Sequence, residues 1–194
     1  MLKIGITGGI ASGKSLATSY LIEQGYVVID CDRITHRLLK DPSLIQAIQS
    51  TFGDSVVDEN NQINRKQLGR IIFHDQEAAD QLNRLVHPLV IDKIKERFKK
   101  LKKEKIVFVD VPLLYEANME GMFDAVILVY VPFNVQLARL MRRDKIDRNY
   151  ALAKIDRQMA MEEKLQLADY VIDNENSTEE SILQLQDIIR RLLS

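Results

Sequence analysis

The sequence predicts an α/β fold, with a parallel sheet covered by helices and a helical lobe inserted after the second strand. Three observations carry this. Short apolar runs recur along the chain without polar alternation, the pattern of strands covered on both faces. The first of these runs enters a glycine-rich turn that opens a helix and leads to a second apolar run, a β-loop-α-β beginning. Between Arg33 and Lys105 the periodicity is helical and no long strand interrupts it.

The elements follow in order. Leu2 to Thr7 is a strand and Gly8 to Gly13 a tight turn. Lys14 to Gln24 has helical spacing with Leu16, Tyr20 and Leu21 on one side, and Gly25 ends it. Tyr26 to Ile29 is the second strand. The helical stretch that follows has turns near Asp41-Pro42, Gly53-Asp54 and Asn60-Asn61. Ile106 to Val111 and Ala125 to Val131 are strands, the latter closed by Pro132. Helices are expected over Asn134 to Arg143 and Asn149 to Lys164, in a stretch rich in Arg and Lys. Tyr170 to Ile172 is the last strand, and Ser177-Thr178-Glu179-Glu180 is a helix start with an acidic first turn. The expected organisation is a core of residues 1–32, 105–134 and 168–194, a helical acceptor domain at 33–104 and a lid at 135–167.

Composition narrows the class. The 194 residues suffice for a hydrophobic core without disulfides or structural metal. With 27 Lys+Arg against 28 Asp+Glu the formal net charge is −1, which gives no global drive toward nucleic acid or an anionic membrane. Cys31 is the only cysteine, in keeping with a reducing compartment. The start MLKIGITGG does not read as a secretion signal, and no apolar stretch approaches the roughly 20 residues that span a bilayer. A cytoplasmic protein is expected, without nucleic-acid or membrane partners and favouring a monomer.

The turn Gly8-Gly9-Ile10-Ala11-Ser12-Gly13-Lys14-Ser15 fits G-x-x-x-x-G-K-[ST] without a gap. Its glycines let the backbone wrap a phosphate, and the following helix presents its N-terminus to the anion. Lys14 is expected to reach the β and γ phosphates of ATP, and the Ser15 hydroxyl to be a ligand of Mg²⁺. The carboxyl ends of parallel strands line the ligand crevice of open α/β sheets. Asp32, after the second strand, is placed to meet an acceptor hydroxyl as general base or orienting group. Asp110, at the end of Ile106 to Val111, is placed to hold Mg²⁺ directly or through water. A helix cap or a surface-loop acid is the plain alternative for each.

Asp110-Val111-Pro112-Leu113 lacks the glycine of a GTPase D-x-x-G, no N-K-x-D reads guanine, and no glutamate follows Asp110 to activate water. A small-molecule kinase needs none of these, because its acceptor is the nucleophile. It needs a lobe for the acceptor and a lid against water. A kinase for another small acceptor and a nucleotide-binding switch remain the competing readings.

A set of motifs resembles the dephospho-CoA kinase family. It comprises Thr7-Gly8-Gly9-Ile10 with Ser12-Gly13-Lys14-Ser15, Ile29-Asp30-Cys31-Asp32, His87-Pro88-Leu89, and Asp110-Val111-Pro112-Leu113-Leu114 with Glu116. Gln136-x-x-Arg139, Arg143-Asp144 and Ala168 to Asn174 complete it. The matches run in family order over nearly the whole chain. The resemblance implies a five-stranded parallel core in a three-layer P-loop fold, with a helical acceptor domain and a lid. It implies phosphorylation of the ribose 3′-hydroxyl of dephospho-CoA by ATP with Mg²⁺, the last step of coenzyme A synthesis. It places Asp32 at the 3′-hydroxyl, His87 with Pro112, Leu113, Leu114 and Glu116 at the acceptor, and Arg139 and Arg143 at phosphates. Asn174 would lie near the adenine, and residues Gly8 to Leu16 at the nucleotide.

The chain departs from the family in places. Ala11 stands where glycine is common and is accommodated if its backbone is helical or extended. Leu16 replaces a common Thr, Lys154 a common Arg, and no glycine follows Asn174. Outside these motifs, His87 before Pro88 can also be read as a helix cap or break. Cys31 reads as a small buried residue, and the basic run Lys93 to Lys103 as a solvated helix face.

Overall fold

The computed structural model describes residues Met1–Ser194. The chain divides into two compact units, one of Met1–Ile29 with Lys102–Ser194 and one of Asp30–Leu101.

The first unit is built on a five-stranded sheet of β1 (Leu2–Gly8), β2 (Val27–Asp30), β3 (Ile106–Asp110), β4 (Ala125–Tyr130) and β5 (Tyr170–Asp173), in the order β2-β3-β1-β4-β5. β1 runs parallel to both β3 and β4, and β4 to β5. The apolar runs of the sequence fall on these strands, each end within a residue or so of its expected place. Helix α1 (Lys14–Glu23) follows β1, and the closing helix α9 (Thr178–Leu193) packs beside it. Ile4, Ile6, Phe108, Ile127 and Ile172 of the strands meet Leu21, Leu185 and Ile188 of these helices in one buried cluster. Burial of each such side chain contributes about 1.5–3 kcal/mol, which is why the central strands carry no polar face. At Gly5 a Cβ would stand 2.7 Å from Leu114 Cδ1, so the turn after β3 packs directly on the backbone of β1. As expected, Ser177 caps α9, its hydroxyl accepting from the Glu180 N–H.

The segment between β4 and β5 differs from expectation. The sequence predicts one helix over Asn149 to Lys164; the structure has α6 (Phe133–Asp144), α7 (Arg148–Ile155) and α8 (Met161–Leu167), with a break at 156–160. The break is held by tertiary contacts. The Met159 N–H donates to Glu116 Oε1 at 2.9 Å, and Gln158 Oε1 accepts from the Ile10 N–H at 2.7 Å. α6 and α7 join through Leu137, Leu140, Ala151 and Ile155, against which Ile10 and Ala11 pack.

The second unit is helical: α2 (Cys31–Leu38), α3 (Pro42–Phe52), α4 (Arg65–His74) and the long α5 (Gln76–Lys100). Its helices are capped by Asp30, Asp41, Asn64 and Asp75, each accepting from a first-turn N–H, and of these Asp41 stands at an expected turn. The turn at Asn60-Asn61 is formed around Asp58, whose carboxylate accepts from the Asn60 and Gln62 N–H groups. Pro88 lies inside α5 and does not break it. Its missing N–H and the crowding of the carbonyl four residues back cost about 3 kcal/mol. Val86, Val90, Ile94 and Phe98 are all buried on the same helix, and at about 1.5–3 kcal/mol each they outweigh that cost. The basic run ends this helix with Ile94 and Phe98 inward and its lysines exposed, as the periodicity requires.

Candidate functional site

The glycine-rich turn leaves the carboxyl end of β1. The Ser12 N–H donates to the Gly9 carbonyl at 3.0 Å and closes a β-turn with Ile10 and Ala11 at its centre. Ala11 has φ 60, in the left-handed region. This corrects the expectation of helical or extended angles, for alanine sits in a conformation that suits glycine. Gly13, with φ 88, is the N-cap of α1, and no side chain caps that helix. The first N–H groups of α1 are thus left for a ligand at the positive end of the helix dipole. The Ser12 hydroxyl is buried without a partner.

Lys14 opens α1, and its ammonium is paired with Asp110 Oδ1. The register explains this contact. Asp110, the last residue of β3, lies level with Ile6 on β1, two residues before the turn begins. Asp110 is therefore neither a helix cap nor a loose surface acid; its side chain is 17% exposed and turned to the lysine of the loop. Ser15 follows Lys14 and is exposed. Leu16 lines a small cavity with Ala17, Ile172 and Leu185, so its side chain belongs to the packing beneath the loop.

Asn174, just after β5, is buried under the loop. Its amide donates to the Ser12 carbonyl at 2.7 Å and accepts from the Ser181 hydroxyl at 2.9 Å. A Cβ on Gly13 would lie 2.1 Å from the Asn174 amide nitrogen, so only glycine fits there. Arg139 donates to the Glu175 carbonyl at 3.2 Å, and its guanidinium lies 3.9 Å from the same ideal Cβ position at Gly13. Arg143 is held at 2.8 Å by Asp144, whose other oxygen takes Lys154 at 2.7 Å. Hydrogen bonds from Arg143 and then Lys154 hold the Asp144 carboxyl down to about 2.

The turn after β3 is fixed to β1, with the Val111 N–H on the Ile6 carbonyl and the Thr7 hydroxyl on the Pro112 carbonyl. Leu113 is exposed while Leu114 is fully buried. Glu116 turns inward. Its Oε1 accepts from the Met159 N–H and stands 2.8 Å from Nζ of Lys164, which is fully buried. Lys164 Nζ makes no hydrogen bond, so that contact is ionic, and Glu116 Oε2 is buried without a partner.

In the helical unit Asp32 is the second residue of α2, directly beyond the end of β2, and its side chain is exposed. The capping role falls to Asp30, whose carboxylate accepts from the Arg33 N–H at 2.8 Å. His87 lies mid-helix in α5, half-buried, and burial lowers its pKa. Cys31 is buried.

The structure brings Gly8 to Ser15, Asp110, Arg139 and Asn174 together in the sheet unit, and carries Asp32 and His87 on the helical unit. Sequence reasoning missed Gln158, Lys164 and Ser181, and gave Gln136 no role. Of these only Gln136 left a signal, as part of a motif; Gln158 and Lys164 act across long sequence separations that no local pattern reveals, while Ser181 reaches Asn174 only seven residues back.

Comparison with known proteins adds the following. The profile of the family described as dephospho-CoA kinase matches residues 2–180. A dephospho-CoA kinase of Carboxydothermus hydrogenoformans is 42% identical over 191 residues, covering 97% of this chain and 93% of that protein. One of Fusobacterium nucleatum is 41% identical over 177 residues, 91% of each chain. Among solved structures, dephospho-CoA kinase from Campylobacter jejuni superposes with TM-score 0.74 at 33% identity, covering 98% of this chain and 96% of that one. Shikimate kinase from Acinetobacter baumannii, at 17% identity and TM-score 0.59 over 100% and 93% of the two chains, shares the fold.

Proposed function

The chain belongs to the dephospho-CoA kinase family, and from that premise we propose that it transfers the γ-phosphoryl group of ATP to the ribose 3′-hydroxyl of dephospho-CoA, giving CoA and ADP. The observation that carries the phosphoryl-transfer half is the Gly8–Ser15 turn, an uncapped helix start with Lys14 against Asp110. The acceptor half is supported by the family likeness over nearly the full chain.

The 3′-oxygen forms the new bond to γ-phosphorus as the bond to the β–γ bridging oxygen breaks, and ADP leaves. Asp32 faces the hydroxyl and orients it or takes its proton. The backbone N–H groups of the turn and the start of α1 bind the phosphates, and Lys14 exchanges Asp110 for the β and γ oxygens as charge develops on them. Ser15 and Asp110 are hard oxygen donors suited to Mg²⁺. Bound there, Mg²⁺ neutralises the charge of the β and γ oxygens.

Residues 33–104 receive the acceptor, with His87 neutral at physiological pH, and residues 135–167 act as the lid, with Arg139 and Arg143 toward phosphate. Leu113 is the exposed member of the Pro112-Leu113-Leu114 turn and the one available to a ligand. Asn174 supports the loop from below, because its amide is already engaged with Ser12 and Ser181. Likewise Glu116 acts inside the sheet unit, through Lys164 and Met159. On the same proposal the protein works as a monomer in the cytoplasm. No helix is long and apolar enough to cross a membrane.

The test is Asp32→Asn, measured for turnover with dephospho-CoA and for ATP affinity by direct binding. The expected result is a turnover loss of about a hundredfold or more with ATP affinity nearly unchanged. A variant that chiefly weakens ATP binding would remove Asp32 from the acceptor side.

A further inference from the structure

Ile10 is held at both of its backbone polar groups by glutamine side chains from the segment between β4 and β5, and its carbonyl, part of the Ile10–Ala11 peptide, is held by Gln136. Gln158 Oε1 accepts from the Ile10 N–H at 2.7 Å, and Gln136 Nε2 donates to the Ile10 carbonyl at 3.0 Å. Gln136 is 2% exposed, on the buried face of α6. It lies so close to the loop that a Cβ on Gly9 would come within 2.5 Å of its amide nitrogen.

The turn these contacts hold has an unusual demand. Gly9 to Ser12 is closed by the Ser12 N–H on the Gly9 carbonyl, with positive φ at Ala11 and not at Ile10, the arrangement of a type II turn. Rotating the central peptide by half a turn gives a type I turn, with the same closing hydrogen bond and Ala11 at negative φ. An L-residue prefers that alternative by a factor of about 5–30. In a trans peptide the carbonyl and the next N–H point in opposite directions. With the Ile10 carbonyl turned to Gln136, the Ala11 N–H faces away from α6, toward the inside of the loop. In the type I form these directions are reversed, and a phosphate in the loop would meet a carbonyl in place of a donor.

We propose that Gln136 is a positioning residue of the nucleotide site, which holds the Ile10–Ala11 peptide in the orientation that alanine disfavours and so aims the Ala11 N–H at bound phosphate. The inference rests on the phosphate-binding role of the loop proposed above. It also gives Ala11 a physical consequence: where glycine would adopt the turn unaided, this chain depends on the glutamine.

The test is direct calorimetric binding of ADP and of adenosine to the full chain. In Gln136→Leu the unrestrained turn populates the type I form, and ADP affinity falls by about the 5–30-fold preference of the free turn while adenosine affinity stays the same. Adding Ala11→Gly removes the objection to positive φ and returns ADP affinity most of the way to wild type. A role of Gln136 in packing α6 alone would not be rescued by a change at Ala11. ADP affinity unchanged in Gln136→Leu, or a loss that Ala11→Gly does not repair, overturns the proposal. Ala11→Val, which keeps Gln136 in place, gives an independent check should Gln136→Leu fail to fold. A β-branched residue resists positive φ further, so ADP affinity must fall, and unchanged affinity overturns the proposal. Wild-type protein that does not bind ADP would overturn the phosphate role of the loop as well.

Discussion

Replacing Lys164 by methionine tests how the segment between β4 and β5 is fastened to the sheet unit. Lys164 is fully buried and its ammonium stands 2.8 Å from Glu116 Oε1. Methionine fills much of the same volume, so the change is one of charge more than of packing. It leaves the Glu116 carboxylate with the Met159 N–H as its remaining partner and with Oε2 already unpartnered. Removing one member of a buried pair costs about 3–5 kcal/mol. The Glu116 side chain is 20% exposed, so water relieves part of the penalty and the lower end, about 3 kcal/mol, applies. For a chain of this size each kcal/mol moves Tm by about 2–4 °C, so the expected drop is about 6–12 °C. Thermal unfolding followed by circular dichroism measures it. Two comparisons sharpen the reading. Glu116→Gln in the Lys164→Met background removes the orphaned charge, keeps an acceptor for Met159, and is expected to recover more than half of the loss. Lys93→Ala, which breaks an exposed pair with Glu96, is expected to shift stability by less than about 1 kcal/mol. A Tm drop for Lys164→Met no larger than that for Lys93→Ala would refute the reasoning.

The remaining predictions concern charge. Lys14→Ala is expected to lower turnover by at least about a hundredfold with the fold intact, because the lysine acts on developing phosphate charge; near-normal turnover with a normal circular dichroism spectrum would remove Lys14 from the chemistry. Asp144 is expected to titrate near 2, below the ordinary 3.8, in an NMR pH series. Its folded-state pKa is depressed, so its stabilising contribution is complete above about pH 4 and is lost as pH falls through 2; Lys154→Ala is expected to move the midpoint upward, and an unmoved midpoint would deny that contact. His87 is expected to titrate below 6.5, because burial disfavours its charged form. The unfolded chain then binds the proton more tightly, so this residue's contribution is present above about pH 6.5 and declines as pH falls; an NMR midpoint at or above 6.5 would contradict it.

Much of the fold was legible in the sequence because its signals are local. Strand runs such as Ile106 to Val111 need only a lack of polar alternation, and Ser177 with Glu180 marks a helix start within four residues. The phosphate loop is likewise a contiguous pattern, and strand ends placed Asp110 and Asp32 correctly along the chain. The rest depended on contacts across long sequence distances. The break at 156–160 follows from Glu116 and Ile10, more than 40 and 140 residues away, which capture Met159 and Gln158. The periodicity of Asn149 to Lys164 holds no trace of them. Asn174 reads as a ligand contact from its motif but is engaged by Ser12, 162 residues away. Ala11 reads as a tolerated exchange for glycine; its positive φ is set by the geometry the loop must adopt, which composition does not show. His87 before Pro88 can be read as a helix cap or break, and the burial of four apolar residues of the same helix overrides it.

The central claim is tested most directly by an acceptor panel with ATP and Mg²⁺, read by mass spectrometry. Dephospho-CoA stands beside nucleoside monophosphates, nucleosides, pantothenate and shikimate. The account requires a product heavier by one phosphoryl group with dephospho-CoA and none with the others. Phosphorylation of another acceptor with dephospho-CoA left untouched, or no product from folded protein that binds ATP, would contradict it.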